Sequence, residues 1–485
     1  MDASGAESRA RILLLGLGFS RSTLDNPLSS LSGGWRTRCE LATTLFQPAD
    51  YLLLDEPTNF LDLRAMLWLQ SYLKSLTCTI MLITHDREFA DAIADELVVF
   101  RDATTLEHFV GTLSSYDAER TRQQRRMQRM KSAQERQKAH MEQTIIGNIR
   151  AAKSSGDDKK LKQAASRQKK LDERMGLQVN ARGGRFKLNR DRAGYHIAAR
   201  GEIEVPSDGP AAKFSFPSTT PVPLRFPGVL VGFENFGFRY RNGRKQVLAD
   251  INLAVHPGSR VGIVGLNGAG KSTLLSHIVE GGEPIGTRTG TITRHGKAEV
   301  ACFSQSAVEE LHALGERERT ATALSVLLRT AEGGLTEQEA RGILGSMGVQ
   351  GRTASEVPLA QLSGGQKVRV ALARLLWRGA PHLLVLDEVT THLDSDTIMV
   401  LVRELNAYEG AVMVVSHDRF FVRTVVEGQD PDDVLEGEGE EEGGAGGWNG
   451  DRCGDVWLLS GSPGRLRRLS GGVKDYEKAA GRSTK

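Results

Sequence analysis

Residues 265–273 read Gly-Leu-Asn-Gly-Ala-Gly-Lys-Ser-Thr, which fits the phosphate-loop pattern G-x-x-x-x-G-K-[ST]. An apolar stretch typical of a strand, residues 260–264, precedes the loop, and a stretch typical of a helix, residues 274–278, follows it. Glycines allow the backbone N–H groups of such a loop to converge on phosphate oxygens, and the start of the helix adds a positive dipole. The motif therefore predicts a nucleoside triphosphate site, with Lys271 at the β- and γ-phosphates and the Ser272 hydroxyl on Mg²⁺.

Two acidic residues and a histidine follow apolar runs later in the chain. The run at 383–386 is typical of a buried central strand and ends in Asp387 and Glu388. Carboxylates at this edge of a parallel sheet lie where such sheets bind ligands. Asp387 is therefore predicted to hold the water shell of Mg²⁺, and Glu388 to act as general base on the attacking water. His417 follows a similar run and is either structural or a contact of the γ-phosphate.

The chain contains two copies of one domain. Four short elements occur twice in the same order, and the paired positions are 10–18 with 340–348, 31–34 with 362–365, 52–56 with 384–388, and 84–87 with 416–419. The partners are separated by 330 to 332 residues, and this near-constant spacing indicates a duplication. A third Leu-Ser-Gly-Gly, at 469–472, has no strand and acidic pair after it and is interpreted as a chance match.

The first copy is shorter at its amino-terminal side. In the second copy the phosphate loop begins 98 residues before Ser363. The same spacing in the first copy would place the loop before Met1, so the first copy is expected to lack its phosphate-binding half. One alternative is that the chain is an incomplete gene product whose true start lies upstream.

Composition and charge exclude several classes of protein. The 485 residues are 39% hydrophobic and 25% charged, which is ordinary for a globular chain and excludes collagen, a disulfide scaffold and a mostly disordered protein. The formal net charge of +3 indicates no partner. The four cysteines are far apart and favour a reducing, cytoplasmic location. No apolar run approaches the ~20 residues needed to span a bilayer, and the short run at 12–19 imitates a signal peptide but has a counterpart inside the chain.

The segment between the copies is strongly basic. Residues 120–175 hold 17 Lys/Arg and 6 Asp/Glu with few apolar residues, which predicts one or two long charged helices. Such a segment is either a solvated helix pair without a partner or a surface that contacts the phosphate backbone of RNA. Residues 201–228, rich in Pro, Ser and Gly, are predicted to form a flexible connector, and the nine acidic residues of 427–450 a solvated insertion.

The chain resembles the ATP-binding cassette ATPases. The resemblance is carried by the phosphate loop, the signature Leu-Ser-Gly-Gly-Gln at 362–366, Asp387-Glu388 and His417. Two cassettes joined by a basic helical linker, without a membrane span, resemble the F class of that family, whose members mostly act on ribosomes. There are departures from the family pattern, since Val389 replaces a proline, Thr391 an asparagine and Phe60 a histidine.

The resemblance implies an α/β fold with two P-loop NTPase cassettes, the first lacking its amino-terminal half, joined by a charged helical linker. The implied domains are a truncated first cassette (1–116), a basic linker (117–200), a flexible connector (201–228), a second cassette (229–426), an acidic insertion (427–452) and a carboxyl-terminal part of the second cassette (453–485). ATP would bind between the loop of one cassette and the signature of the other, which predicts at most one complete composite site in this chain.

The resemblance also assigns roles to individual residues. The residues implied to bind nucleotide are Tyr240, which could stack on a purine, and Gly265, Leu266, Asn267, Gly268, Ala269, Gly270, Lys271, Ser272 and Thr273. The implied catalytic residues are Glu388, His417 and Gln305, and the implied Mg²⁺ ligands are Ser272, Gln305 and Asp387. Ser32, Gly33 and Gly34 would press on the nucleotide from the first cassette. The residues left to a degenerate or orphan site are Asp55, Glu56, His85, Ser363, Gly364 and Gly365.

The function implied is an ATPase that acts in translation, with ATP and Mg²⁺ as cofactors and the ribosome, through its rRNA or tRNA, as partner of the basic linker. ATP would close the two cassettes, and hydrolysis would reopen them. No membrane partner and no obligate oligomer are expected. Two alternatives stay open, namely the nucleotide-binding subunit of a transporter and a scaffold that binds ATP without hydrolysing it.

Overall fold

A computed structural model describes residues 3–31, 33–59, 61–102, 105–155, 159, 162, 166, 214–226, 228–241, 243, 245–279, 284–304, 306–431, 434 and 453–482. The chain divides into two compact units. Residues 1–114 and 211–485 form the first unit, which contains both copies of the repeat, and residues 115–210 form the second.

The second copy is built on a mixed six-stranded sheet in the order β13-β12-β7-β11-β10-β9. Its strands are β7 (Arg260–Val264), β9 (Val300–Phe303), β10 (Leu383–Asp387), β11 (Ala411–Val415), β12 (Asp455–Ser460) and β13 (Arg465–Leu469). A three-stranded antiparallel sheet in the order β6-β5-β8 covers one face, with β5 at Val231–Tyr240, β6 at Leu248–Val255 and β8 at Gly286–Arg294.

Helices cover the rest of the second copy, since parallel strands are buried on both faces. They are α6 (Lys271–Ser276), α7 (Ala307–Arg317), α8 (Ala323–Ala331), α9 (Glu337–Ser346), α10 (Arg352–Ser355), α11 (Gly364–Leu376), α12 (Ser395–Ala407), α13 (Arg419–Val425) and α14 (Gly472–Arg482), with short 3₁₀ helices at Leu359–Gln361 and Val389–His392. Every residue of β7, β10 and β11 is buried, so the polar residues that follow these strands start from fixed positions.

The first copy repeats only the later part of this architecture. Its helices are α1 (Ala3–Gly16), α2 (Gly33–Phe46), α3 (Leu63–Ser75) and α4 (Arg87–Ile93), with a 3₁₀ helix at Leu28–Ser30, and its strands are β1 (Tyr51–Asp55), β2 (Thr79–Ile83), β3 (Glu96–Asp102) and β4 (Thr105–Val110). Strands β1 and β2 are parallel in the same register as β10 and β11, because Tyr51 pairs with Thr79 as Leu383 pairs with Ala411. This agreement supports the duplication inferred from the sequence.

The two copies differ in what covers one face of these strands. In the second copy, Leu383, Val385, Met413 and Val415 pack into a core with β5, β6 and α6. The equivalent residues of the first copy are solvent-exposed, with relative exposures of 75% for Tyr51, 70% for Leu53, 60% for Met81 and 58% for Ile83. The other face of β1 is buried, since Leu52 and Leu54 lie in the core of the first copy.

The copies share part of one core. Leu63, at the start of α3, is fully buried within the larger core of the second copy. Phe214 and Phe216 belong to the same core, and the Phe216 N–H donates to a carboxylate oxygen of Glu404 at 2.8 Å. Residues 214–226 therefore correct the predicted flexible connector, because two aromatic side chains anchor this Pro- and Ser-rich stretch to the second copy. The earlier part of the predicted connector, 201–213, and the acidic stretch 435–452 lie outside the described residues.

Helix α5 (Leu113–Ser155) runs for 43 residues through the predicted basic linker. The segment holds ten Lys/Arg and four Asp/Glu, and most of its described side chains are exposed. In the part of the chain that the structure describes, we find no helix that combines the length and the apolar character needed to cross a membrane.

The exposed face of β1 gives a direct test of the unequal coverage. Leu53→Asp places a charge on a side chain that is 70% exposed, whereas Val385→Asp buries an unpaired charge at the equivalent, fully buried position. We expect Leu53→Asp to change the free energy of unfolding by less than about 0.5 kcal/mol, and Val385→Asp to lower it by about 4 kcal/mol or more. Urea unfolding followed by circular dichroism measures both. Equal destabilisation by the two variants would show that the Leu53 face is covered.

Candidate functional site

The phosphate loop leaves β7 and turns into α6. Gly268 and Gly270 have φ angles of 82° and 102°, values that favour glycine because they carry no steric cost without a Cβ. Gly265 is required for a different reason, since a Cβ there would lie 2.3 Å from the Leu459 carbonyl oxygen. The pattern of glycines is thus set by the local backbone and by its close approach to β12.

Lys271 is almost completely buried at the start of α6. Its Nζ donates to the Gly265 carbonyl at 2.6 Å and lies 2.9 Å from His417 Nε2. Burial lowers the pKa of Lys271, and the nearby carboxylates of Glu388 and Asp387 oppose that change. Burial and the Lys271 charge lower the pKa of His417 well below its usual value, so its imidazole is neutral. Its Nε2 can then accept a hydrogen bond from Lys271 Nζ.

The acidic pair lies at the carboxyl end of β10. Burial raises the pKa of Asp387 to about 6, and Lys271 and a hydrogen bond with Ser272 act in the opposite direction. Burial raises the pKa of Glu388 to about 7, while Lys271 lowers it. Glu388 Oε1 lies 3.6 Å from His417 Nε2 and has no hydrogen-bond partner among the described residues. A carboxylate whose pKa lies near neutral pH and that has a free oxygen is suited to general-base chemistry.

These groups line a cavity of about 1040 Å³ to which both copies contribute. Of the predicted nucleotide-binding residues, those that line it are Tyr240, Asn267, Gly268, Gly270, Lys271, Ser272 and Thr273, whereas Gly265, Leu266 and Ala269 do not. The Tyr240 hydroxyl lies 2.9 Å from the Thr273 hydroxyl at one side of the loop. Gly33 and Gly34, the first residues of α2, lie on the wall from the first copy.

The cavity also receives residues that the sequence assigned to an orphan site. Glu56 and His85 line it, and Asp55, Ser363, Gly364 and Gly365 do not. His85 Nε2 lies 3.5 Å from Glu56 Oε1, which repeats the geometry of His417 and Glu388. Glu56 and Glu388 also share a positive φ angle, 46° and 52°, so both carboxylate side chains extend from a strained backbone conformation. Glu56 and His85 are therefore part of the shared cavity, whereas the other four residues assigned to the orphan site are not.

Two residues of the first copy, Asp62 and Arg38, were missed by sequence reasoning. Asp62 caps α3, and its second carboxylate oxygen accepts from the Asn267 N–H of the phosphate loop at 3.3 Å. Arg38 is buried on the cavity wall, where its guanidinium stacks over Trp35 at 4.6 Å. The repeat held a signal for Asp62, because it pairs with the helix-capping Asp394 at the common spacing of 332 residues. Gln305 and Ser32 lie outside the described residues.

The donor set fits a magnesium triphosphate. Magnesium prefers oxygen ligands, and the Ser272 hydroxyl and the Asp387 carboxylate both line the cavity beside the phosphate loop. Glycines at 268 and 270 leave the loop backbone open to phosphate oxygens, and the cavity has the volume of sites that take ligands of nucleotide size.

Comparison with protein families supports the same chemistry. A family model described as ABC transporter matches residues 5–59 and 248–391, and a second model with the same description matches residues 101–185.

Three curated relatives cover most of this chain. "Probable ATP-binding protein YheS" of Escherichia coli strain K12 is 38% identical over 427 residues, which are 88% of this chain and 59% of the relative. "ABC transporter F family member 3" of Arabidopsis thaliana is 31% identical over 485 residues, with coverages of 100% and 57%. "ATP-binding cassette sub-family F member 3" of Homo sapiens is 31% identical over 486 residues, with coverages of 98% and 56%. The chain thus spans less than two thirds of the length of these relatives.

Solved structures share the fold at low identity. An RNase-L Inhibitor structure aligns with a TM-score of 0.53 and 17% identity, and it covers 99% of this chain and 72% of its own. A complex of the archaeal ribosomal stalk protein aP1 with the archaeal ribosome recycling factor aABCE1 aligns with a TM-score of 0.50 and 17% identity, with coverages of 99% and 71%. At this identity the likeness concerns the fold alone.

The raised pKa of Glu388 predicts that its ionised carboxylate destabilises the folded chain. A buried carboxyl that titrates near pH 7 rather than near 4.5 binds its proton more tightly in the folded chain, so stability falls as the pH rises between these values. We expect Glu388→Gln to raise the free energy of unfolding of the ligand-free chain above pH 7 by roughly 1–3 kcal/mol, and to have little effect near pH 4. Thermal melts across this pH range measure the difference, with Glu409→Gln as an exposed control. A variant that is less stable than wild type at pH 8 would contradict the prediction.

Proposed function

Because the chain belongs to the F family of ATP-binding cassette proteins, we propose that it binds MgATP in the shared cavity and hydrolyses it to ADP and phosphate. One observation carries the proposal. The phosphate loop, the acidic pair and His417 of the second copy line the same cavity as Gly33 and Gly34 of the first. The chain spans only part of the length of these relatives, so ATP hydrolysis by this chain is a proposal.

The triphosphate is held by the loop and its lysine. The N–H groups around Gly268 and Gly270 and the Lys271 ammonium surround the β- and γ-phosphates, and Ser272 and Asp387 hold Mg²⁺. When bound, Mg²⁺ supplies positive charge that stabilises the transferred phosphoryl group. Tyr240, beside Thr273, offers a ring for the base to stack on.

Glu388 is the proposed general base. Its unpaired Oε1 accepts a proton from the attacking water, which leaves the water oxygen to attack the γ-phosphorus. The neutral His417 contacts both Lys271 and Asn267, so it would hold the phosphate loop in position relative to Glu388. The assigned roles of Gln305 and Ser32 stay predictions.

The first copy would complete the site. The start of α2 brings backbone N–H groups at Gly33 and Gly34, which favour phosphate oxygens. Asp62 already links the first copy to the loop through Asn267. We therefore propose that the copies close on ATP and reopen after hydrolysis, because both would bind the nucleotide.

The ribosome is the proposed partner, through RNA phosphates at the basic segment. Exposed cations repeat along α5, namely Arg122, Arg126, Arg129, Lys131, Arg136 and Arg150. Aromatic residues are scarce there, which suits contact with the phosphate backbone rather than base stacking. Membership of the F family, together with a fold shared with a ribosome recycling factor, favours a ribosomal role.

Hydrolysis can be tested with repeat-matched variants. We expect Lys271→Ala to remove ATPase activity through loss of ATP binding. Glu388→Gln should lower kcat by roughly 10²–10⁴ because it removes the base. Glu56→Gln, at the equivalent position of the first copy, should lower kcat far less, because that copy presents no phosphate loop among the described residues. Phosphate release measures all three.

The control for binding is a calorimetric titration of Glu388→Gln with MgATP. One nucleotide per chain is expected, since we propose one composite site, built from the phosphate loop at 265–273 and the first copy. Two bound nucleotides would contradict the single site, and wild-type binding without turnover would favour the scaffold alternative.

Ribosome binding can be tested through salt. Co-sedimentation should weaken steeply between about 50 and 200 mM salt, because cations on α5 displace counterions from RNA. Replacing the six exposed cations of α5 by glutamine should lower the log-log salt slope and leave ATPase activity unchanged. Equal sedimentation at both salt concentrations would exclude an electrostatic contact by this segment.

A further inference from the structure

Helix α14 (Gly472–Arg482) lies at the junction of the two copies. It packs against α3 of the first copy and against α13, β12 and β13 of the second. Its inward residues Val473, Tyr476 and Ala480 follow helical spacing and lie in the core that also contains Leu63 of the first copy. A side chain on this face is therefore in a position to respond to both copies.

An ionic cluster fixes the orientation of this helix. Arg419 Nε lies 2.7 Å from Glu88 of the first copy, and Arg423 lies 3.0 Å from Glu88 and 2.7 Å from Glu477 of α14. At the start of the helix, the Val473 N–H donates to Glu427 at 2.6 Å. The residue next to Glu477, Tyr476, is thus held by contacts on both sides of it.

Tyr476 carries a buried hydroxyl with an unusual environment. The side chain is 3% exposed, and the proton of its hydroxyl has no acceptor among the described residues. The Gly265 backbone lies beside it, and burial together with the carboxylates of Asp62 and Glu388 raises the pKa of the phenol, which therefore keeps its proton. The hydroxyl of Tyr476 is thus buried next to the start of the phosphate loop, close enough to Asp62 and Glu388 for their charges to act on it.

A buried hydroxyl without a partner costs free energy. A protein can retain a hydroxyl at this cost if the hydroxyl forms a hydrogen bond in another conformation of the protein. The two carboxylates whose charges act on the Tyr476 phenol are Asp62 and Glu388, and Glu388 is needed for the attacking water. Asp62 belongs to the first copy, precedes the α3 helix on which α14 packs, and already accepts from the loop at Asn267, so it is the carboxylate that links both copies near Tyr476.

We propose that Tyr476 is a positioning residue of the ATP site, whose hydroxyl donates a hydrogen bond to the Asp62 carboxylate when the two copies close on nucleotide. The bond would hold Asp62 against the loop and link α14 to the closed state. This inference rests on the proposed binding and hydrolysis of MgATP.

The test is Tyr476→Phe, which keeps the ring and removes the hydroxyl. Without nucleotide, the Tm should equal or exceed that of wild type, because an unpaired hydroxyl is removed. In a Glu388→Gln background, the Kd for MgATP should rise about tenfold and the increase in Tm with MgATP should shrink, as expected when a hydrogen bond to a charged acceptor is lost. A purely structural tyrosine would lower the Tm with and without nucleotide alike.

The matched control is Tyr116→Phe. Tyr116 lies five residues after Gly111, as Tyr476 lies five after Gly471, and it is buried too, at 6% exposure. Its substitution should leave the Kd for MgATP unchanged. A double-mutant cycle with Asp62→Asn identifies the acceptor, because the effects of the two substitutions on Kd should not add.

The outcomes separate this inference from the proposed function. If wild type neither binds nor hydrolyses ATP, the proposed function fails. If wild type is active and Tyr476→Phe binds MgATP like wild type, or if its effect adds to that of Asp62→Asn, the role of Tyr476 is overturned and the proposed function stands.

Discussion

The buried ammonium group of Lys271 is the charge on which the cavity depends. An ion leaves water at a high cost unless partners surround it, and here the Gly265 carbonyl, His417 and two carboxylates do so. The same charge keeps His417 neutral and opposes the rise in the pKa of Asp387 and Glu388. These groups come from the ends of β7, β10 and β11, three strands that are adjacent in the sheet, so the strand order supplies the partners that the lysine needs.

Much of this half of the site could be predicted, because its signals are local. The loop at 265–273 lies between a strand and a helix, and the runs at 383–386 and 411–415 are β10 and β11. Each run is apolar throughout, as expected of strands covered on both faces, and each is followed directly by the polar groups of the site. The duplication was equally visible, since the repeated motifs keep both their order and their spacing.

Contacts between distant elements could not be predicted in this way. Asp62 meets Asn267 across 205 residues, and nothing in either local pattern reports the other. Composition hid the burial of Phe214 and Phe216, because two aromatic residues do not outweigh the prolines and serines around them. The burial of Tyr476 could not be predicted either, because the Leu-Ser-Gly-Gly at 469–472 that precedes it has no strand and acidic pair after it. In each case the burial of a side chain is decided by packing partners that local sequence does not specify.

The length of α5 has a mechanical consequence. At 1.5 Å per residue, its 43 residues extend about 64 Å, longer than the diameter of a small domain. A helix of that length would amplify motion at its base, since a rotation of about 10° at Leu113 would carry the end of a straight helix through about 11 Å. A rotation of about 10° where the helix begins would therefore be enough to displace the far end by about the width of another helix.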